Sequence, residues 1–189
     1  MKKEFYIKNM VCRSCIRIIG DALQKKNLNI TEIELGKVII ETENVPETKK
    51  LLIEILKKND FGLIETPQDK LVEQVKTALI ELINLIPESL GIKLSDHLKD
   101  RLHQDYYTLS RVFSYHQQVT IEKYFIKLKI EKTKKMIRSQ EYNFTEISQL
   151  LGYSNLGHLS GQFKTETGMS LTEYKAVDPT IKNSLNRIL

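Results

Sequence analysis

The sequence predicts an α+β fold class, with a small mixed unit at the N-terminus and an all-helical C-terminal half. Two observations predict it. Over the first third of the chain, short apolar runs with the two-residue period of strands alternate with runs of helical period. Beyond residue 93, two helical stretches repeat each other at an offset of fifty residues, which is typical of a duplicated motif.

Composition narrows the class of protein. The chain has 189 residues, of which 41% are hydrophobic, enough for one large or two small domains with buried cores. No apolar run is long enough for a membrane span, and the N-terminus lacks the apolar segment of a secretory signal, so we expect a cytoplasmic protein without membrane contact. There is no Ser/His/Asp constellation, phosphate-binding glycine loop or carboxylate cluster, and we therefore do not expect an enzyme.

The charge is uneven along the chain. The formal net charge is +5 at pH 7, and residues 93–177 hold 13 Lys and Arg against 9 Asp and Glu. A basic C-terminal half is compatible with a nucleic-acid partner. The excess is modest, however, so charge alone does not predict such a partner.

The first strand and the first helix are indicated by their apolar periods. Phe5 and Ile7 alternate with charged or polar neighbours, as in a strand with one buried face. Ile16, Ile19 and Leu23 then recur at helical spacing, which predicts a helix with one inward face.

A hairpin, a second helix and a last strand follow. Residues 30–35 and 38–42 are rich in β-branched side chains, and Gly36 between them predicts a tight turn. Pro46 marks the first turn of a second helix, and residues 61–65 form a final strand. The resulting order is β-α-β-β-α-β, the ferredoxin-like split βαβ arrangement.

Two cysteines lie three positions apart, between the first strand and the first helix. In a reducing compartment such a pair indicates metal binding or redox chemistry rather than a structural disulfide. Cys15 lies at the start of the helix, where backbone N–H groups favour a thiolate, and Arg13 and Arg17 add positive charge. Two thiolates suit Cu(I), whereas Zn(II) prefers about four ligands. We predict a soft metal, favouring Cu(I), on Cys12 and Cys15, with redox chemistry or a relic module as alternatives.

The element order, together with Met-x-Cys-x-x-Cys before the first helix, resembles the heavy-metal-associated domain. That family includes small copper chaperones and the N-terminal modules of copper-transporting ATPases. The resemblance covers residues 1–66 and implies that Cys12 and Cys15 bind a soft thiophilic ion, with Met10 packed beneath their loop. Asn9 departs from the family pattern, because a glycine commonly precedes the methionine.

Residues 67–92 are predicted to form a linker helix. Pro67 marks its boundary and Pro87 its end. One apolar stripe follows the helical period along it, and this stripe either packs within the chain or forms the seam of a homodimer. The stripe consists of Leu71, Val75, Leu79, Leu82, Ile83 and Ile86.

The fifty-residue repeat predicts two related helical units beyond residue 93. The shared spacing is that of the second half of a helix-turn-helix, and two such units in one short domain suit two turns of DNA. The matched positions are Leu109, Ser110, Phe113, Thr120, Ile121 and Tyr124, and then Leu159, Ser160, Phe163, Ser170, Leu171 and Tyr174.

The second unit has the clearer helix boundaries. Thr145 is predicted to cap its first helix and Gly152 to end it, while Ser154 is predicted to cap the next helix, which ends at Gly168. A helical wheel gives that second helix an outward face, which we assign to the major groove of DNA. On this face, His158 is either a DNA contact or a surface residue without a role in binding. The predicted DNA-binding residues are Ser154, Gly157, His158, Gly161, Lys164 and Thr165.

In the first unit, Arg111 is the one long cationic side chain on the outward face of the recognition helix. Arginine at such a position most often donates two hydrogen bonds to guanine. Its repeat partner, Gly161, cannot do this, so we expect the first unit to supply the strongest base contact. The predicted DNA-binding residues of this unit are Tyr107, Thr108, Arg111 and Ser114, with Tyr115 beside them.

The motif Gly-Tyr-Ser-Asn-x-x-His-Leu-Ser-x-Gln-Phe-Lys in the second unit resembles the AraC-type DNA-binding domain, as does Leu-Ser-Arg-x-Phe at residues 109–113. The resemblance covers residues 93–176 and implies sequence-specific binding to promoter DNA. Four positions depart from the family pattern. A glycine is usual at His103 and Gln118, a proline is common at Leu171, and an arginine is common at Gly161.

The helix that joins the two units is strongly basic. Its cations go nearly all round the helix, so a solvated surface explains most of them, and one or two are expected to contact phosphate. These cations are Lys127, Lys129, Lys132, Lys134, Lys135 and Arg138.

Together these observations predict a metal-responsive transcription regulator with double-stranded DNA as its partner. Cu(I) is the favoured signal, and Zn(II) or another soft metal is the alternative. Residues 93–176 form the predicted DNA-binding domain and residues 177–189 a C-terminal tail. Two other functions stay open: a copper carrier whose DNA-binding domain has degenerated, and a regulator that responds to thiol oxidation.

Overall fold

The computed structural model describes all but three short stretches of the chain. The predicted helix end at Ile86 and Pro87 and the tail beyond Val177 lie outside the described residues. Within the described part, no helix is long and apolar enough to cross a membrane. The described residues are 1–10, 12–85 and 92–177.

Contacts between residues divide the chain into two compact units. The first combines Met1–Ile80 with Leu98–Gln118, and the second combines Glu81–His97 with the residues from 119 onward. The predicted domain boundaries after residues 66, 92 and 176 remain predictions, because a contact pattern does not show which parts fold independently.

The N-terminal part of the first unit is an antiparallel sheet with two helices. Its elements are β1 (Lys2–Lys8), α1 (Arg13–Gln24), β2 (Asn29–Glu34), β3 (Lys37–Glu41), α2 (Val45–Lys57) and β4 (Gly62–Ile64). The four strands lie in the order β2-β3-β1-β4, and each neighbouring pair is antiparallel.

The apolar periods identify the residues of this core. Phe5 and Ile7 are buried, whereas Tyr6 between them is half-buried, as expected for a strand with one face covered. From α1, Ile19 and Leu23 join the same core and are almost fully buried. Burying each of these side chains stabilises the fold by roughly 1.5–3 kcal/mol.

The hairpin between β2 and β3 forms around the predicted turn. Gly36 has φ of +76°, a left-handed conformation that glycine adopts without steric cost. β2 contains a bulge between Ile30 and Glu32, where the pairing register with β3 shifts. The extra residue lets Ile30 and Ile33 both pack against the core although their spacing is odd.

Helix α3 (Pro67–Asn84) follows the sheet. Pro67, predicted as a boundary, is its first residue, where the missing N–H group has no helical partner to lose. The described part of the predicted apolar stripe is largely buried, with Val75 and Leu79 at 0% exposure and Ile83 at 5%. The stripe therefore packs within the chain, and the homodimer stays a prediction.

Two opposite charges are also buried on α3. Glu73 and Lys76 are one turn apart, and their side chains are only 7% and 9% exposed. The Lys76 Nζ atom lies 2.8 Å from Glu73 Oε1. Glu73 Oε2 also accepts a 3.3 Å hydrogen bond from the Asn9 backbone N–H, which ties α3 to the end of β1.

The remaining described elements are all helical. They are α4 (Leu94–Leu102), α5 (Tyr106–Gln117), α6 (Ile121–Ser139), α7 (Phe144–Leu150), α8 (Leu156–Thr167) and α9 (Leu171–Val177). The core of the second compact unit is a cluster that includes Ile130, Ile137, Ile147, Leu159 and Phe163. It joins the connecting helix α6 to the α7–α8 pair.

The start of α7 differs from the prediction. Asn143, not Thr145, is the N-cap, and its side chain accepts the Glu146 N–H while the Glu146 carboxylate accepts the Asn143 N–H. This reciprocal capping box satisfies two helix-terminal donors, so the helix begins earlier than Thr145. Gly152 after the helix is left-handed as predicted, with φ of +68°.

Candidate nucleic-acid interface and thiol site

The first candidate recognition helix is α5, and its buried residues show which side faces outward. Leu109 and Phe113 are fully buried, so side chains on the opposite side point to solvent. Tyr107 and Tyr115 are 74% and 77% exposed. Arg111 lies between them, also exposed, with its guanidinium carbon 6.0 Å from the centroid of the Tyr107 ring. Tyr107, Arg111 and Tyr115 form an aromatic and cationic row, here called the α5 strip.

Two other predicted contacts on α5 are less exposed. Thr108 and Ser114 are half-buried. The Thr108 N–H donates a 2.8 Å hydrogen bond to the carboxylate of Asp105, the N-cap of α5. This bond stabilises the anion and lowers the pKa of Asp105 below its ordinary value. A negative charge therefore sits at the turn before α5.

In the first helix-turn-helix unit, the two positions at which the family pattern has glycine are left-handed, although both residues carry side chains. His103 has φ of +51° and Gln118 has φ of +54°. The Gln118 Nε2 donates a 2.7 Å hydrogen bond to the Tyr115 carbonyl, which offsets part of the strain. The departures from glycine thus leave the turn geometry in place.

The second candidate recognition helix is α8, and Asn155 rather than the predicted Ser154 is its N-cap. The Asn155 Oδ1 accepts the His158 N–H at 2.9 Å, three residues into the helix. The Ser154 hydroxyl cannot serve that N–H because the helix begins at Leu156, so the residue directly before it occupies the capping position. Ser154 Oγ instead lies 3.3 Å from His158 Nδ1.

His158 is exposed, yet its ring is oriented by three neighbours. Ser154 is next to one ring nitrogen, and Gln162 Nε2 lies 3.5 Å from the other. The Tyr153 ring packs edge-on against it, with the ring centroids 5.3 Å apart. A side chain held in this way loses little conformational entropy when it binds a partner.

The rest of the predicted outward face of α8 is exposed, namely Gly157, Gly161, Lys164 and Thr165. A Cβ atom at Gly161 would meet nothing within 4 Å, so packing in the described chain does not require glycine there. At Gly157 a Cβ atom would lie 3.2 Å from the capping atom Asn155 Oδ1. The Thr165 hydroxyl donates a 2.9 Å hydrogen bond to the Gly161 carbonyl.

A cleft of about 640 Å³ runs between α8 and the start of α6. It brings four of the predicted DNA-binding residues together with Gln162, which is part of the quoted sequence motif but was not assigned to the DNA-binding face. The Gln162 Oε1 atom is buried and finds no hydrogen-bond partner among the described residues. Gln162 is one helical turn after His158, and this spacing could have indicated in the sequence that both side chains lie on the same face of the helix. The cleft is lined by Thr120, Glu122, Lys123, Ile126, Gly157, His158, Gly161, Gln162, Thr165 and Glu166.

The fifty-residue repeat extends to the residues that begin each helix. Asp105 and Asn155 are the N-caps of α5 and α8. Thr120 accepts the N–H three residues later at the start of α6, and Ser170 does the same at the start of α9. The two units therefore share the chemistry of their turns as well as their apolar spacing.

One cation of the connecting helix is half-buried against aromatic rings. Lys129 Nζ lies 5.4 Å from the ring centroid of Phe125 and 4.9 Å from that of Tyr153. Burial lowers the pKa of Lys129 and raises the pKa of Tyr153 to about 12. Lys129 is therefore a cation placed beside aromatic rings, and it is one of the basic residues of this helix that a solvated surface does not explain.

The thiol site lies at the start of α1. Cys12 is the N-cap, with extended backbone, and Cys15 is in the first turn. Their Sγ atoms lie 2.9 Å apart. Met10 is 2% exposed and belongs to the core, whereas Cys12 is exposed and Cys15 half-buried. The two sulfur atoms are thus presented together at the surface, whereas Met10, shortly before them in the sequence, is buried in the core.

The donor set at this site is small. Arg13 and Arg17 on the same helix are exposed. Among the described residues, no group of three or more His, Cys, Asp or Glu side chains could hold a metal ion. Cys12 and Cys15 could hold a soft ion that accepts two sulfur ligands, whereas a four-coordinate ion would need further donors.

Comparison with known proteins finds a likeness for the C-terminal half. Residues 98–176 match the family model described as "Helix-turn-helix domain". Domains of the class that this model describes bind DNA. The match covers less than half of the chain. No curated protein matches the chain.

Solved structures give weaker likenesses. The C-terminal domain of AraT, a response regulator from Geobacillus stearothermophilus, is 20% identical over 60% of this chain and 87% of its own, with a TM-score of 0.48. The DNA-binding domain of AdpA, a global transcriptional factor in complex with a target DNA, is 21% identical over 56% and 89%, with a TM-score of 0.46. An AraC-type transcriptional regulator from Chromobacterium violaceum is 18% identical over 56% and 94%, with a TM-score of 0.49.

Proposed function

We propose that the chain is a transcription regulator of the AraC type that binds promoter DNA through two helix-turn-helix units. The observation that carries this proposal is the helix-turn-helix match over residues 98–176, in which α5 and α8 occupy equivalent places. Both helices bury a leucine and a phenylalanine and leave the opposite side exposed. An exposed polar helix face of this kind suits the major groove.

The two helices would contribute differently to DNA binding. On α5, Arg111 would donate to a guanine, with Tyr107 and Tyr115 packed against sugar or thymine methyl groups. On α8, the two exposed glycines would let the backbone come close to DNA, with His158 and Lys164 beside them. Thr108, Ser114, Ser154 and Thr165 would add shorter polar contacts. Sequence preference would therefore depend mainly on α5.

For the N-terminal unit we infer a ferredoxin-like, heavy-metal-associated domain that responds to Cu(I). The element order of the sheet and the two surface thiols support this inference. Two sulfur donors suit a soft monovalent cation, because Cu(I) accepts a low coordination number, and the exposed arginines nearby favour the thiolate forms of the two cysteines. Zn(II) would need donors from a second molecule, and a homodimer is one way to supply them.

Selection of duplexes from a random pool by the full-length chain tests DNA recognition. The selected duplexes should share one sequence, and the affinity for it should fall as salt rises, because phosphate contacts release counterions. A selected pool without a common sequence would contradict the proposal. The same selection with Arg111→Ala shows whether α5 reads the bases.

Titration of the reduced chain with Cu(I), in competition with a chelator, tests the metal site. Wild type should bind one Cu(I) per chain, and Cys12→Ser with Cys15→Ser should abolish that binding. Ser14→Ala is a matched control, because it changes one of the two residues between the thiols and leaves both sulfur donors. Unchanged Cu(I) affinity in the double serine variant would place the metal elsewhere.

A second candidate function is a regulator that senses thiol oxidation, and the 2.9 Å separation of the two sulfur atoms favours it. An added disulfide oxidant would accept two electrons and two protons as the thiols join, itself becoming two thiols. Alkylation followed by mass spectrometry, with DNA affinity measured in parallel, distinguishes this function from Cu(I) sensing. The copper-carrier alternative predicts Cu(I) binding without any selected DNA sequence.

A further inference from the structure

Helix α3 contacts both the strand that leads to the thiol loop and the first recognition helix, all within the first compact unit. On one side, Glu73 Oε2 accepts the Asn9 backbone N–H at 3.3 Å. Asn9 is three residues before Cys12 and has φ of +71°, a left-handed conformation that few side chains tolerate. The backbone next to the thiol loop is therefore attached to α3 at a defined point.

Glu73 is held in place by a second contact. Its Oε1 atom lies 2.8 Å from Lys76 Nζ, and both side chains are more than nine-tenths buried. Separating buried opposite charges leaves each of them unpaired in a poorly solvating environment, which is strongly unfavourable. A displacement of Asn9 would therefore move Glu73 together with the helix rather than swing its side chain away.

One turn before Glu73, α3 touches α5. The Asp69 Oδ1 atom lies 3.2 Å from His116 Nδ1, in the last turn of α5. Asp69 and Glu73 are four residues apart and so lie on the same side of α3. Lys70, next to Asp69, places its Nζ 3.8 Å from the ring centroid of Tyr6 on β1, a further link between α3 and the sheet.

We propose that Glu73 is a positioning residue that couples the thiol loop to the α5 strip through α3. This inference rests on the proposed function, in which Cu(I) binds Cys12 and Cys15. A bound ion fixes the two sulfur atoms and with them the backbone that ends at Asn9. Because Asn9 is hydrogen-bonded to Glu73, the position of α3 is restrained as well. The Asp69–His116 contact extends this restraint to α5.

The coupling has a measurable size. If α3 carries the constraint, Cu(I) changes the affinity of the full chain for its selected duplex, and that duplex changes the Cu(I) affinity by the same factor. Couplings of this kind are typically at least about fivefold. The quantity to measure is the ratio of the two DNA dissociation constants, without and with one equivalent of Cu(I), with the larger divided by the smaller.

The central variant combines Glu73→Met with Lys76→Met. Removing both charges avoids an unpaired buried ion and keeps the volume filled, so the fold is expected to survive. The Asn9 N–H loses its acceptor, and the ratio should fall to about one while Cu(I) still binds. Glu34→Gln with Lys37→Met is the matched control, because it removes a charge pair of the same spacing on the hairpin that is more accessible to solvent, with Lys37 half-buried and Glu34 exposed.

His116→Ala is the second variant and acts at the other end of α3 without disturbing the buried pair. It should also reduce the ratio toward one, whereas the control should keep the wild-type ratio. A wild-type ratio in either test variant, with wild type itself at about fivefold or more, would overturn the coupling role and leave the proposed function standing. A ratio of one in copper-loaded wild type would overturn both.

Discussion

Gln118 and Gly168 occupy the same left-handed backbone position, fifty residues apart, at the ends of α5 and α8. Their φ angles are +54° and +76°. In each case the backbone N–H of the capping residue donates to the carbonyl four residues earlier, Ser114 in the first unit and Lys164 in the second. The two repeats therefore end their helices in the same way, although only Gly168 adopts the left-handed conformation without strain.

Replacing Gln118 with glycine should stabilise the protein. The substitution removes left-handed strain of roughly 1–2 kcal/mol and loses the side-chain bond to Tyr115, so we expect a net gain of up to about 1 kcal/mol. Urea unfolding measures it. Gly168→Gln is the reciprocal control and should lower the free energy of unfolding. A loss of stability in Gln118→Gly would show that the amide bond outweighs the strain.

Gly161→Ala should separate stability from DNA binding. Alanine fits the open space at Gly161 and raises helix propensity, so the free energy of unfolding should rise by roughly 0.5–1 kcal/mol. If the backbone of α8 approaches DNA closely, affinity for the selected duplex should fall at the same time. Gly20→Ala on α1 is the control, since it also points into open space and should gain stability without changing DNA affinity. Unchanged affinity in Gly161→Ala would exclude a close backbone approach at this position.

Arg111→Ala should relax the sequence preference at one or two adjacent base pairs. A bidentate arginine contact to guanine discriminates by roughly 1–3 kcal/mol, while non-specific affinity should weaken only by about one counterion in the salt slope. Lys132→Ala on α6 should at most weaken binding to all sequences alike. Selection of random duplexes by the three proteins compares them, and an unchanged consensus for Arg111→Ala would mean that the α5 strip does not read bases.

Tyr153→Phe should be neutral or stabilising. The Tyr153 hydroxyl is buried without a hydrogen-bond partner among the described residues, and such burial costs about 1–3 kcal/mol. The phenyl ring would still stack on Lys129 and His158. Thermal unfolding measures the effect, and a clear decrease in Tm would reveal a bond to the hydroxyl. In wild type, one tyrosine should ionise only near pH 12, and that transition should vanish in the variant.

The charge of Asp69 should stabilise the fold only above acidic pH. The Thr66 hydroxyl bond, and then His116 and Lys8, lower the pKa of Asp69 below its ordinary value of 3.8. A lowered folded-state pKa means that the stabilisation is present above 3.8 and is lost as pH falls through the folded value. Asp69→Asn should therefore cost less than about 1 kcal/mol near neutral pH, because the group is half-exposed, and nothing in strong acid. Equal costs at both pH values would contradict a charge effect.

Local periodicity and turn chemistry determined much of this fold. The alternation of Phe5 and Ile7, the turn at Gly36 and the inward spacing of Leu109 and Phe113 depend on neighbours within a few residues. The structure confirms each of them. The exposed face of α5, including Arg111, followed from the same helical spacing.

Helix caps were less predictable, because neighbouring residues compete for one position. Ser154 and Asn155 are both good N-caps, and the start of the packed helix decided for Asn155. In the same way, Asn143 rather than Thr145 caps α7, because Asn143 and Glu146 each accept a hydrogen bond from the other's backbone N–H.

Only the tertiary structure decided which polar groups are buried and what they touch. Glu73 and Lys76 look like a solvated charge pair on an amphipathic helix, and Lys129 looks like one of many surface cations. Their burial depends on packing partners distant in sequence, such as Asn9 for Glu73 and Tyr153 for Lys129. Helical spacing determines the face on which a side chain lies, but the partner that covers that face is set by long-range packing.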